Sequence, residues 1–356
     1  HLGRGAGQVL KLERADMTSF AFVFPGQGSQ AVGMLDAWGD HPAVAQTLSE
    51  ASDALGEDIA QLIKVGPKEA LALTTNTQPV MLVAAVAAWR VWRSEGAPVP
   101  MALAGHSLGE YSALVASGVL SLSQAVPLVR LRAQAMQEAV PVGQGAMAAI
   151  LGLSAAQVVQ GCAQVQADMG PQEVVSAANF NDPGQTVIAG SKAAVERGAA
   201  ACKSRGAKRA LMLPVSAPFH ASLLKPAADR LAQALAAITL NAPQIPVVNN
   251  VDVAVVSDPQ QIKHALARQA ARAQRRQTPL VGDLGQRVGL IHELRQLRRA
   301  EELAHRRRRR LGVDQVVRHD RVDVDRAHAL ADRALHAQQA DAVLVLHQLA
   351  DRADAT

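Results

Sequence analysis

Aromatic side chains make up only 3% of this 356-residue chain, and every Phe, Tyr and Trp lies at or before Phe219. Lysine stops at Lys263. The two cysteines, Cys162 and Cys202, lack the paired spacing of a metal ligand set and fit a reducing compartment as two small buried residues. No apolar run approaches the roughly 20 residues that span a bilayer. The longest, from Pro79 to Trp89, is cut at once by Arg90. Arg4, Lys11, Glu13, Arg14 and Asp16 interrupt the N-terminal stretch, which therefore has no secretory apolar core. These absences argue against a membrane span, export and a disulfide framework, and a cytoplasmic location is expected.

What is present is globular: 49% hydrophobic and 19% charged residues, with length enough for about two domains. The net charge of +5 and the isoelectric point near 9.5 invite a nucleic-acid reading, but the positive charge is unevenly spread. Arg306 to Arg310 form an unbroken run with Arg295, Arg298 and Arg299 just before it, whereas residues 17–270 are nearly neutral. The tail has neither a nucleic-acid-binding motif nor interleaved aromatics, so nucleic acid is not the expected partner.

Three textures follow one another. Residues 1–16 show no strand or amphipathic pattern and read as a non-native or upstream leader. Residues 17–270 alternate apolar strand-like runs with Ala- and Leu-rich helical stretches, the pattern of an α/β fold. Residues 271–356 are dominated by Arg, Ala, His, Asp, Gln, Leu and Val. That bias is expected of an off-frame translation of a GC-rich gene, with a genuine basic extension as the alternative.

Within the body, Gly105-His-Ser-Leu-Gly109 follows the short apolar run from Met101 and precedes a helical pattern. Strand, sharp turn and helix make a nucleophile elbow with Ser107 as nucleophile, and its flanking glycines answer to crowding at the turn. Phe20 to Phe24 reads as a strand running into the glycine loop Pro25-Gly-Gln-Gly-Ser-Gln30, and a long helix is expected from Thr77 with Pro79 in its first turn. Between Ala146 and Leu213 the order is strand, helix, strand, strand, helix, strand, a βαββαβ pattern that suggests an inserted ferredoxin-like subdomain. The expected division is a larger α/β-hydrolase-like part, residues 17–143 and 214–270 with a parallel sheet, and the insert, residues 144–213, with a cleft between them.

A serine hydroxyl needs a base within hydrogen-bond reach. His106 adjoins Ser107, but neighbours on a tight turn point apart, whereas His220 in Pro214-Val-Ser-Ala-Pro-Phe-His220 is held between rigid prolines after a strand. His41 and His264 have no such setting. Of Arg130 and Arg132, two apart on one helix, only one can face inward and offer a guanidinium fork to a carboxylate.

Six segments in order, FAFVFPGQGSQ, TQPV, GHSLGEYSALVASG, VRLRAQAMQ, ANFNDPGQTVIAG and SAPFH, resemble the malonyl-CoA:acyl carrier protein transacylases of bacterial fatty acid synthesis. The resemblance covers about residues 17–270. It implies Ser107 as the acylated nucleophile, His220 as its general base and Arg132 as partner of the malonyl carboxylate. It further implies an oxyanion hole from the N–H groups of Gln27 and Leu108, and the main-chain carbonyl of Gln269 as the group orienting the histidine. Malonyl-CoA and holo-acyl carrier protein would be substrates, with no metal or redox cofactor, and the enzyme is expected to be a monomer. The family's carrier protein is acidic, and Lys192, Arg197, Lys203, Arg205, Lys208 and Arg209 on the insert are the candidate docking face. After Gln269 the family continues with a proline-aromatic segment and later a Gly-Pro-Gly strand end. This chain instead has Arg272-Ala-Gln-Arg-Arg-Gln277, which puts its last core strand and its activity in question.

Two rivals share some of these features. A serine esterase or thioesterase of α/β-hydrolase type would need an oxyanion loop of HGGG type and a histidine near the chain end. A nucleic-acid binder would act through the arginine tail by phosphate attraction alone.

Overall fold

The computed structural model describes residues 20–215 and 217–275. The leader at residues 1–16 and all of the tail beyond Arg275 lie outside the described residues. The chain opens with β1 (Ala21–Phe24), α1 (Pro42–Leu55), α2 (Ile59–Val65), α3 (Lys68–Ala72), α4 (Thr74–Ser94), β2 (Ala102–Gly105), α5 (Leu108–Ala116) and α6 (Leu122–Glu138). There follow β3 (Gly145–Leu151), α7 (Ala155–Met169), β4 (Val175–Asp182), β5 (Gln185–Ser191), α8 (Lys192–Ser204) and β6 (Arg209–Met212). The chain then returns through α9 (Lys225–Ala236), β7 (Val247–Val248), α10 (Pro259–Ala271) and β8 (Gln274–Arg275).

Two sheets result. The first is parallel with order β1-β2-β7, pairing Ala21 with Ala102 and Leu103 with Val247. A parallel sheet is buried on both faces, and β2, Ala-Leu-Ala-Gly, is accordingly buried throughout. The C-terminal ends of all three strands point the same way, so the loop after β1, the turn after β2 and the segment after β7 emerge side by side. Ligand sites of open parallel sheets form at that edge. The second sheet has order β6-β3-β5-β4-β8 and is antiparallel apart from the β4–β8 pair. Its first four strands, with α7 and α8, have the expected βαββαβ order.

The main apolar core surrounds α4, which packs against α1, α5 and α6. Phe22 meets Trp89 edge-on at 5.3 Å between ring centroids, and Phe20 meets Trp92 at 5.9 Å, so the few aromatics are concentrated where α4 lies on β1. α4 corrects one expectation. It begins at Thr74, three residues before Thr77, which leaves Pro79 inside the helix. Thr77 Oγ1 donates to the carbonyls of Leu71 and Leu73 and ties the early turn to α3, so the start is fixed by side-chain bonding that precedes the proline. Smaller apolar clusters fill the faces of the antiparallel sheet, and Phe219 touches both the main core and one of these.

Ser121 and Gln124 form a capping box at the start of α6, and Asp258 caps α10 with Pro259 in the first turn, which fixes the two helices that carry Arg132 and Gln269. Among the described residues no helix is long and apolar enough to cross a membrane.

Candidate active site

Ser107 stands between β2 and α5 with φ 53° and ψ −106°, a left-handed conformation that a non-glycine residue adopts only under constraint. The crowding expected of its flanking glycines is present. A Cβ at Gly105 would come within 2.0 Å of the Gly109 carbonyl, and one at Gly109 within 2.3 Å of the Phe24 carbonyl oxygen. The turn is clamped from the segment after β7: Ser107 N–H donates to Asn250 Oδ1 (2.6 Å), and Asn250 Nδ2 donates to the Gly105 carbonyl (2.6 Å).

His220 follows β6 of the antiparallel sheet, also at positive φ (63°), after Pro218 packs its ring over Gly145. Its Nε2 lies 3.0 Å from Ser107 Oγ, and its Nδ1 lies 2.9 Å from the Gln269 carbonyl oxygen. Burial, reinforced by the Arg132 guanidinium and His106, holds the imidazole well below its ordinary range, while the Gln269 carbonyl opposes this. The ring is neutral at pH 7. A neutral ring whose Nδ1–H is taken by a carbonyl presents a bare Nε2 to the serine.

Arg132 is the inward arginine of its pair. It is 2% exposed, whereas Arg130 forms a two-pronged pair with Glu57 at the surface (2.9 and 2.7 Å). Arg132 Nη1 donates to Gln78 Oε1 (2.7 Å), and Nη2 donates to Ser107 Oγ (3.0 Å) and Gln269 Oε1 (2.9 Å). Its guanidinium carbon lies 5.4 Å from the Tyr111 ring centroid. Its Nε–H is buried without an acceptor among the described residues. Burial lowers its pKa, yet an arginine starts so high that it remains a cation.

The balancing carboxyl is Glu110. Burial pushes it up to about 7, against the hydrogen bonds from Gln269 Nε2 (2.8 Å) and Asn250 N–H (3.0 Å) and the pull of Arg132. Gln269 thus serves three ways: its carbonyl faces His220, its Oε1 faces Arg132, and its Nε2 donates to Glu110 and to the Ser107 carbonyl (3.0 Å). Sequence reasoning assigned only the carbonyl.

Ser107, His220, Arg132 and Gln269 therefore converge. Leu108 opens α5, so its N–H belongs to the first-turn donors that have no acceptor inside the helix. Gln27 follows Gly26, whose backbone abuts His106, and Gln27 Nε2 donates to Thr74. His106 lies in the turn next to Ser107, and His41 caps α1 and meets Glu95 at 3.3 Å. Burial pushes the Cys162 thiol up to about 12, which makes it no nucleophile. Gln78, Glu110, Asn250 and Gln274 were missed as site residues. For Gln78 the available signal was an amide directly before the long apolar run from Pro79 to Trp89. For Glu110 it was a carboxylate in the small-residue helix after the serine.

Residues 21–281 match the acyl transferase domain family. The chain belongs to that family. The malonyl CoA-acyl carrier protein transacylase of Salmonella typhimurium is 56% identical over 254 residues, 71% of this chain and 81% of that protein; the Bacillus subtilis protein of the same name is 43% identical over 71% and 79%. The acyl-carrier-protein S-malonyltransferase of Burkholderia pseudomallei superposes with a TM-score of 0.69 at 60% identity, covering 72% of this chain and 82% of that one. A malonyl-transacylase solved in complex with its type II PKS acyl-carrier protein gives 0.72 at 50% identity, covering 75% and 86%. The resemblance read from six motifs is borne out. The acyl transferase match also runs past Ala270, where the resemblance was expected to stop, and β8 shows the backbone still adding to a sheet there.

Proposed function

We propose that this acyltransferase moves a malonyl group from malonyl-CoA to the phosphopantetheine thiol of an acyl carrier protein through a malonyl-Ser107 ester. The observation that carries the mechanism is the Ser107 Oγ to His220 Nε2 contact of 3.0 Å beside a buried arginine. Nε2 takes the hydroxyl proton as Oγ bonds to the thioester carbon. The C–S bond then breaks, and the proton passes from Nε2 to the departing coenzyme A sulfur. The carrier thiol repeats the sequence in the other direction, which gives ping-pong kinetics. Ser107 stands on a nucleophile elbow, and the N–H groups of Gln27 and Leu108 receive the oxyanion. Arg132 takes the free malonyl carboxylate: its Nε–H has no acceptor, and the Nη2–H that meets Ser107 Oγ in the free enzyme turns to the carboxylate when the serine carries the acyl group. No step changes an oxidation state, so malonyl-CoA and the holo-carrier protein suffice without a cofactor.

The larger part, residues 17–143 and 214–270, carries this chemistry, and residues 144–213 form a ferredoxin-like insert. The strand order β6-β3-β5-β4 and the βαββαβ succession support that reading. Lys192, Arg197, Lys203, Arg205, Lys208 and Arg209 are all exposed on the insert and suit an acidic carrier protein. Incubation with malonyl-CoA alone tests the reaction class. A stable malonyl-Ser107 peptide by mass spectrometry is expected, and rapid release of free malonate would instead identify a hydrolase.

A further inference from the structure

Gln274 lies in the segment set apart as foreign to the family, yet its side chain is 1% exposed and reaches the site. Its Nε2 is 2.7 Å from His220 Nδ1 and 3.3 Å from the Gln269 carbonyl oxygen, and its Oε1 is buried without a partner. Of the two neutral tautomers, the one protonated on Nδ1 is the one that gives the Gln269 carbonyl a donor. The Gln269 carbonyl, 2.9 Å from Nδ1, requires a proton on Nδ1, since a bare ring nitrogen would set lone pair against lone pair. An amide N–H cannot then face Nδ1–H at 2.7 Å. The two ends of a carboxamide are interchangeable in shape, so the end that meets Nδ1 is the oxygen. Two carbonyl oxygens about 3.3 Å apart can flank one N–H in a three-centre bond.

We propose that Gln274 is a positioning residue for His220. Its amide oxygen shares the Nδ1 proton with the Gln269 carbonyl and holds the ring in the tautomer whose Nε2 faces Ser107. The inference rests on the reading of His220 as base. The charged and titratable groups facing His220 are Arg132 on α6 and His106 in the turn before α5; Ser107, Gln269 and Gln274 make the uncharged contacts.

The test uses the full chain with ¹⁵N-labelled histidine, together with Gln274→Leu and Gln274→Glu. Ring nitrogen shifts should show His220 protonated on Nδ1 in the unaltered protein and a growing Nε2-protonated fraction in Gln274→Leu. That variant should lose about fivefold in kcat at unchanged KM for malonyl-CoA, the scale of one neutral hydrogen bond. A carboxylate from Gln274→Glu should raise the acid limb of kcat/KM by about 1 to 3 pH units. An Nε2-protonated ring in the unaltered protein, or a Leu variant with unaltered ring shifts, overturns the proposal. Should the Leu variant not fold, an unmoved acid limb in the Glu variant does so. The ring shifts decide the contact even if malonyl transfer itself is not observed.

Discussion

Around the parallel sheet Gln78, Glu110, Arg132, His220, Asn250 and Gln269 are all buried, whereas Thr186 is the one buried polar side chain among the described residues of 144–213. The left-handed Ser107 and His220 belong to the first region as well. In the second, charge is kept outside on α8 and β6, and the space between the sheet and α7 and α8 is filled by Ile150, Val158, Ile188, Val195 and two cysteines. Burying a charge costs several kcal/mol unless partners replace water, and the six side chains of the first region meet that cost with hydrogen bonds such as Arg132 to Gln78 and Gln269, and Gln269 to Glu110. An apolar core of the second kind confers stability without chemistry. The difference is that the buried polar groups gather around the parallel sheet, while the second region presents its charge to solvent.

The sharpest way to break that comparison is Ser107→Ala. It should abolish the acyl-enzyme and lower transfer by as much as ~10⁶, read as loss of the malonylated peptide by mass spectrometry. Residual acylation anywhere else would move the chemistry out of the first region. Arg132→Ala comes next. Truncating a buried charged partner should cost malonyl transfer about 2 to 5 kcal/mol and raise acetyl transfer relative to it; an unchanged acyl preference would remove Arg132 from substrate selection.

Glu110→Gln probes the cost of polarity. Its carboxyl titrates near 7 when folded and near 4.5 when unfolded, so the folded chain binds the extra proton between those values. The stability this confers is complete below pH 4.5 and is lost as pH rises through 7. The shift is worth about 3 kcal/mol. His220, held low, runs the other way: its stability is present above the ordinary histidine value and lost as pH falls. Denaturant midpoints at pH 5 and pH 8 should therefore fall less steeply with pH in Glu110→Gln than in the unaltered chain, with His220 common to both. Equal slopes would mean Glu110 is ionised throughout. The smallest effect belongs to the second region. Lys203→Glu with Arg205→Glu should raise KM for the carrier protein severalfold, more at low salt, and leave KM for malonyl-CoA alone.

Strands, helices and the βαββαβ order were legible because apolar periodicity acts over a few residues. Ser107, His220 and Arg132 were legible too, by local turn chemistry, by flanking prolines and by resemblance. Asn250 and the side chain of Gln269 were not, since their partners lie across the sheet edge at Ser107 and Glu110. The helix start at Thr74 was missed because bonds to α3 set it. Gln274 was set aside on composition, a property that carries no information about where one side chain ends up.

The sequence by itself determined the α/β pattern, the strained serine turn and which residue types were available for acyl transfer, because each follows from neighbours within a turn or a strand. Only the tertiary structure decided which nitrogen of His220 faces the serine, which side chains hold the Arg132 guanidinium and which carboxyl balances it. Those outcomes depend on distances between segments more than a hundred residues apart along the chain, such as Ser107 and His220, and on how much water each group loses when the segments close over it.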